Sequence, residues 1–259
     1  MSLRFDHAVV VVSSLEQATH EFTAAGFTVV PGGRHDVLPT ENALVCFADG
    51  SYLELLATRD PATRDELRAL RASDGWERHL RGVSAVARRL LPLLAGADGV
   101  ADWVLNAGSL TPSAARLRAQ GLAASGPVRM SRERLDGQKL EWELLLPESP
   151  VQPFWIADRT PRELRVPSDA GATTHANGAR GVGAVRVRVA VLPTSALELG
   201  DVLATVPRVD IHGRSVLELG GLRVEIVAGE PQGACAVTLT GCSPLTGAVV
   251  AWGVHAEPS

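Results

Sequence analysis

The chain has 259 residues, 46% of them apolar and 21% charged, with 25 basic against 29 acidic side chains and a formal net charge of −4. So much apolar material at so little net charge excludes a disordered chain and supports one large domain or two small ones. It also excludes an overall basic field, so neither nucleic acid nor an anionic membrane is an expected partner.

Three cysteines, Cys46, Cys235 and Cys242, contain no CxxC and cannot all pair. They argue against a disulfide scaffold or a structural zinc site and for free thiols in a reducing cytosol. The N-terminal residues carry charge and no apolar leader. The longest apolar runs, such as Ala8–Val12 and Ala248–Trp252, fall far short of the roughly 20 residues of a spanning helix. A cytoplasmic location is expected.

Phe5–Val12 is rich in β-branched residues and reads as a buried strand. Ser13 or Ser14 then caps a helix whose apolar residues Leu15, Ala18, Phe22 and Ala25 recur at helical spacing up to Gly26. Phe27–Val30 reads as a second strand before Pro31-Gly32-Gly33. Asn42–Ala48 and Ser51–Ala57 follow as a pair joined by the turn Asp49-Gly50. The stretch from Asp60 to Gly99 is helix-rich and charged, with a second helical run over Val83–Leu94.

The same order then returns. Asp102–Asn106 is a strand, and Thr111–Gln120 a helix with Thr111 as cap, Pro112 at its first position and Gly121 past its end. Pro127–Arg134 and Lys139–Leu146 flank the turn Asp136-Gly137, and Phe154–Ala157 closes the unit. A third copy runs through Val182–Val191, Ser195–Leu203, Pro207–Ile211, Ser215–Leu219 and Leu222–Ala228; Cys235–Thr240 and Ala248–Val254 remain as strands of a truncated fourth. The expected fold class is therefore α+β, with tandem βαβββ units at 1–59, 100–158 and 180–229. A helical insertion occupies 60–99, a Pro/Gly/Thr-rich connection 159–179, and truncated strands 230–259. One unit cannot bury both faces of its sheet, so two are expected to pair and leave an open cup or half-barrel between them.

Tandem βαβββ units that open on FDHAVVVV and close on DGSYLELLA resemble the vicinal-oxygen-chelate superfamily, and within it the glyoxalase-like domain family. Phe5-Asp6-His7, GGRHDVLPTENAL (Gly32–Leu44), Tyr52-Leu53-Glu54-Leu55, DWVLNAG (Asp102–Gly108) and HANGARG (His175–Gly181) carry the resemblance. The superfamily includes glyoxalases, epimerases, extradiol dioxygenases, thiol transferases and non-catalytic antibiotic-binding proteins of the bleomycin-resistance type. The resemblance implies a divalent metal in the cup, held by His or Gln and Glu from the first and fourth strands of each paired unit. His7 and Glu54 match those positions in the first unit.

The residues argue for this pair independently, because a carboxylate among Leu53, Leu55 and Leu56 is costly unless something pairs with it. A metal would satisfy both groups, and nitrogen with oxygen ligands suits Zn, Fe, Mn or Ni. A buried His–Glu hydrogen bond would satisfy them too. The ligand set is incomplete in the second unit, where the His7 slot falls on Asp102 or one residue either side and the fourth strand holds no Glu. Glu225 in the third unit is an outside candidate.

Arg34, His35, Thr40 and Asn42 read as a loop cluster able to project into the cup, with His35 as proton carrier. Trp103 and Trp142, with Phe154 or Trp155, are the aromatic candidates for lining it. His175 and Asn177 read as turn-formers. Arg129, Arg132 and Arg134 read as a solvated face or an anion contact. No P-loop, Rossmann, HExxH or GxSxG motif is present.

The leading expectation is a metal-assisted lyase, isomerase or dioxygenase acting on vicinal oxygens, with His7 and Glu54 on the metal and Glu54 and His35 catalytic. Arg34, Thr40, Asn42, Trp103 and Trp142 would contact the substrate. The alternative is a metal-free binding or sequestration protein on the same fold. A small molecule is the expected partner, and a homodimer is an open expectation.

Overall fold

The computed structural model describes residues 3–35, 37–133 and 137–257. Its first βαβββ unit begins with β1 (Arg4–Val11) and α1 (Leu15–Ala24), whose N-cap Ser14 accepts a hydrogen bond from the Gln17 N–H. Gly26, at φ 86°, ends the helix in the left-handed conformation that glycine adopts without cost. β2 (Val30–Arg34), β3 (Thr40–Cys46) and β4 (Tyr52–Thr58) complete the unit.

Several boundaries depart from the sequence reading. β2 begins at Val30 and contains Pro31-Gly32-Gly33. An edge strand tolerates a proline, and a bulge between Pro31 and Gly33 absorbs it. Gly32 is required by close approach, since a Cβ there would lie 2.0 Å from the Asn42 side-chain oxygen. The expected loop cluster is thus largely strand: Arg34 ends β2 and Thr40 and Asn42 belong to β3.

The insertion folds into α2 (Pro61–Arg71), α3 (Trp76–Gly82) and α4 (Ala85–Leu94). The second unit follows as β5 (Gly99–Asn106), α5 (Thr111–Ala119), β6 (Ala124–Glu133), β7 (Lys139–Pro147) and β8 (Phe154–Asp158). Leu110, not Thr111, occupies the N-cap of α5, so no side chain caps that helix and Thr111 is its first residue. Asp136 of the expected Asp136-Gly137 turn, Arg134, and the side chain of Arg132 lie outside the described residues.

The connection holds a 3₁₀ turn (Arg162–Leu164) and α6 (Ala170–Thr173). Beyond it come β9 (Gly181–Val189), α7 (Leu192–Leu203), β10 (Arg208–Val209), β11 (Ser215–Leu219), β12 (Leu222–Ala228) and β13 (Gly233–Thr240). The expected last strand is instead a short helix, α8 (Ala248–Ala251), followed by β14 (Val254–Ala256). An apolar run of that length is ambiguous between helix and strand, and Gly247 and Gly253, both at positive φ, bound one helical turn.

The strands form two sheets. One has eight strands in the order β2-β3-β4-β1-β5-β8-β7-β6 and curls into a half-barrel; the other has six in the order β10-β11-β12-β9-β13-β14. The second repeats the first six positions of the larger sheet and lacks the two strands matching β7 and β6. The first unit joins the second edge to edge through antiparallel β1 and β5, and β9 joins β13 in the same way.

The convex face of the larger sheet and one face of the smaller share one core. Val10, Leu53 and Trp103 from the larger sheet and Val187 and Val224 from the smaller are buried with Phe22 of α1 and Leu199 of α7. The concave face of the half-barrel carries a second apolar cluster, in which Val9, Val11, Leu56, Val104 and Ile156 meet Val86 and Leu91 of α4. Among the described residues no helix is long and apolar enough to cross a membrane.

Candidate active site in the half-barrel

Strand alternation decides which side chains reach the cup. On β1, Ala8 and Val10 enter the shared core while His7 and Val9 line a cavity of about 120 Å³. On β4, Leu53 and Leu55 go to the core, and Tyr52, Glu54 and Leu56 to the cavity. Thr40, Asn42 and Leu44 of β3 and Phe154 and Ile156 of β8 complete its floor; Leu38, Val86, Leu90, Met130, Trp142 and Leu144 wall its sides.

His7 Nε2 lies 3.5 Å from Glu54 Oε2, and His7 Nδ1 lies 2.8 Å from Asp6 Oδ1. A β-bulge between Phe5 and His7 leaves Asp6 without a partner on β5, which re-aims these neighbours so that carboxylate and ring meet. The His7 ring stacks on Tyr52 at 4.4 Å between centroids and meets the edge of Phe154.

Asn42 Nδ2 donates to Glu54 Oε1 at 2.5 Å, while Asn42 Oδ1 accepts from the Gly33 N–H, so its amide orientation is set from both ends. His35 Nδ1 lies 2.9 Å from the Thr40 hydroxyl, and its Nε2 is 3.9 Å from Glu54 Oε1.

Burial opposes ionisation of Glu54, but the hydrogen bond and charge of His7, the charge of His35 and the Asn42 amide outweigh it and pull the carboxyl down to about 2. Burial also opposes a charge on His7, yet its bonds to Asp6 and Glu54 and their charges raise the imidazole above its ordinary value. Asp6 is wholly buried, and against that burial Arg165, His7 and Arg162 hold its carboxyl well below the usual range. The three groups form a row, Asp6–His7–Glu54, in which the carboxylates on either side favour the charged form of the imidazole and the Glu54 end faces the cavity.

The cup brings together His7, His35, Thr40, Asn42, Glu54 and Trp142. Four of the candidate residues lie elsewhere. Trp103 is fully buried in the shared core, because alternation along β5 turns it away from the cup; Trp155 on β8 behaves in the same way. Arg34 points to solvent and lies near Glu41, outside the cavity lining. Glu225 belongs to the other sheet and pairs with Arg186 and Arg214. His175 bonds the Thr28 N–H and the Cys46 carbonyl, and Asn177 bonds the Ala25 carbonyl, so both tie the connection to the first unit.

Sequence reasoning passed over Arg162 and Arg165, which approach from the connection, and gave Asp6 no role. The only available signal was an Asp beside a His in an otherwise apolar strand.

The second unit does not supply the ligands of a two-sided metal site. The strand pairings His7↔Val104 and Val9↔Asp102 are symmetric about Ala8↔Trp103, which puts Asp102 in the position of His7. Both Asp102 oxygens are bound by Arg89 of α4 at 2.7 Å. Glu54 neighbours Val9, and the matching neighbour of Val104 is Phe154, which has no donor atom for a metal. Among the described residues no group of three or more His, Cys, Asp or Glu is arranged to hold a metal ion. The donor set therefore does not fit a metal shared between the halves.

A half-barrel of two βαβββ units paired through their first strands, with a polar cluster on its concave face, defines a vicinal-oxygen-chelate fold. Residues 5–201 match the sequence profile of the glyoxalase-like domain family, and the chain belongs to that family. No curated protein matches the sequence. Among solved structures, a hypothetical protein from Staphylococcus aureus is similar over 99% of this chain and 100% of its own, with a TM-score of 0.74 at 17% identity. A xylose isomerase-like TIM barrel/4-hydroxyphenylpyruvate dioxygenase fusion protein matches 92% of this chain and 36% of its own, with a TM-score of 0.52 and 12% identity. A mutant of 4-hydroxymandelate synthase from Streptomyces coelicolor matches 92% of this chain and 71% of its own, with a TM-score of 0.53 and 10% identity. At these identities the likeness is one of fold.

Proposed function

We propose that the protein is a small-molecule enzyme of the isomerase or lyase type that moves a proton next to a carbonyl or hydroxyl group. The observation that carries this reading is Glu54, an ionised carboxylate on an apolar strand, aimed into a cavity with one imidazole on either side. Such a group is costly to bury, and a network serving stability alone needs no cavity in front of it. The substrate has a polar, oxygen-bearing head at His7, Glu54 and His35, and an apolar body against Leu90, Met130, Trp142 and Phe154.

Protein groups alone account for the chemistry. His7, charged between two carboxylates, donates to the substrate oxygen. In doing so it releases its hold on Glu54. The His7 share of what depresses the Glu54 pKa is then weakened while Asn42, His35 and its burial remain, so Glu54 becomes a stronger base when substrate is present. His35, half-buried beside Glu54, carries the proton onward.

The test is solvent-deuterium exchange into a panel of 2-hydroxy and 2-oxo compounds with aryl or short alkyl bodies, with and without EDTA. Wild-type protein is expected to catalyse exchange into at least one of them, insensitive to EDTA, and Glu54→Gln to slow it by about 10²–10⁴-fold. Binding without exchange would replace this reading with sequestration. Loss of exchange in EDTA, restored by Zn, Mn, Fe or Ni, would replace it with metal chelation by His7 and Glu54.

A further inference from the structure

The connection between the two sheets reaches the back of the site. Arg165 is buried there, and five hydrogen bonds engage its five N–H groups. Nε and Nη2 donate to the two oxygens of Asp158, at 2.7 and 3.1 Å. Nη1 and Nη2 donate to the two oxygens of Asp6, both at 3.1 Å, and Nη1 also donates to the Tyr52 hydroxyl at 2.8 Å. Arg165 therefore has no N–H left for a substrate, although it borders the cavity.

Arg162 adds bonds from Nε and Nη2 to Asp6 Oδ2, at 3.2 and 3.0 Å, and ties itself to the Gly50 carbonyl. Asn106 bridges Asp6 and Asp158 from β5. Asp6 Oδ1 thus meets Arg165 Nη1 and His7 Nδ1, while Oδ2 receives Arg165 Nη2, Arg162 and Asn106.

We infer that Arg165, seconded by Arg162, is a positioning residue for His7: by clamping Asp6 it fixes which ring nitrogen of His7 faces Glu54. The guanidinium is charged at every working pH and its planar fork spans Asp6 and Asp158 together, which a lysine cannot do. Asp6 is thereby kept ionised and unable to turn. Its carboxylate holds the Nδ1–H, the ring plane is set by the stack on Tyr52, and Nε2 is left pointing into the cup. The Tyr52 hydroxyl is bound by the same arginine, so one side chain from the connection sets both the ring and the surface it stacks on. The consequence for catalysis rests on the proposed acid role of His7; the positioning itself does not.

The test is ring 15N and 1H NMR of the full-length, 15N-labelled protein at neutral pH, with His7 assigned by a His7→Gln variant and His35 as internal control. Wild type is expected to show one His7 ring form with a far-downfield, exchange-protected Nδ1–H. In Arg165→Gln that resonance is lost, and Arg165→Lys fails to restore it. Arg162, partly exposed, gives the milder variant: Arg162→Gln keeps the fold and speeds exchange of the Nδ1–H about tenfold, the size of one charge-assisted hydrogen bond. An unchanged His7 signal in folded Arg162→Gln and Arg165→Gln, or in folded Arg162→Gln alone should Arg165→Gln not fold, would overturn the inference and leave these arginines as ties for the connection only. A signal that responds as expected in a protein without exchange activity would overturn the proposed function and leave the positioning role standing.

Discussion

The row Asp6–His7–Glu54 makes stability depend on pH in both directions. The depressed carboxylates, Glu54 near 2 and Asp6 well below its usual range, contribute stability that is complete above their ordinary values of 4.5 and 3.8 and is lost as pH falls through the folded values. The raised imidazole of His7 works oppositely: its contribution is complete below 6.5 and disappears as pH rises through the folded value. A melting-temperature profile is therefore expected to be highest between about 4.5 and 6.5 for this network, and His7→Gln to flatten its alkaline limb. An unaltered alkaline limb in that variant would show that His7 is not held as the cation. At this scale the sequence was informative where a residue type contradicts its neighbours, as Glu54 does among leucines. It was silent on Arg165, whose charge in a polar connection is unremarkable until the chain folds back on Asp6.

At the scale of elements, the insertion of α2 to α4 makes the two halves of the cup unequal. Arg89 binds both oxygens of Asp102 and also the carbonyls of Pro147, Ser149 and Gln152, so α4 is fastened across the second unit by the residue that matches His7 in the first. In the second unit this position serves attachment, and α4 brings Val86 and Leu90 to the apolar end of the cavity. Arg89→Met would leave Asp102 buried without its partner and is expected to cost about 3–5 kcal/mol in urea unfolding. The double variant Arg89→Met/Asp102→Leu should recover most of that loss, because it removes both charges together. If the double variant is no better than the single one, the pair is not what fastens the helix. The helices and most strands were legible from periodicity and glycine punctuation. The placement of β2 was not, since a Pro-Gly-Gly run reads as a break until the edge position and the Asn42 contact show why it is tolerated.

For the molecule as a whole, the two sheets share one core, so neither buries its apolar surface alone. Unfolding is expected to be a single cooperative event, with the slowest-exchanging amides of β1 and β9 reporting the same opening free energy. A lower value for β9 would mean that the smaller sheet opens by itself. The repeat, the class of fold and the polar residues of the first unit could be read from the amino-acid order, because strand alternation, helix caps and turn glycines are local properties set within a few residues. Which units pair, which tryptophan faces the cup, that Glu225 stands apart, and that Asp6 is held from the connection were decided only by tertiary structure. Each depends on strand neighbours or on contacts between residues far apart in the chain, and these are chosen by the burial of whole faces rather than by any short segment.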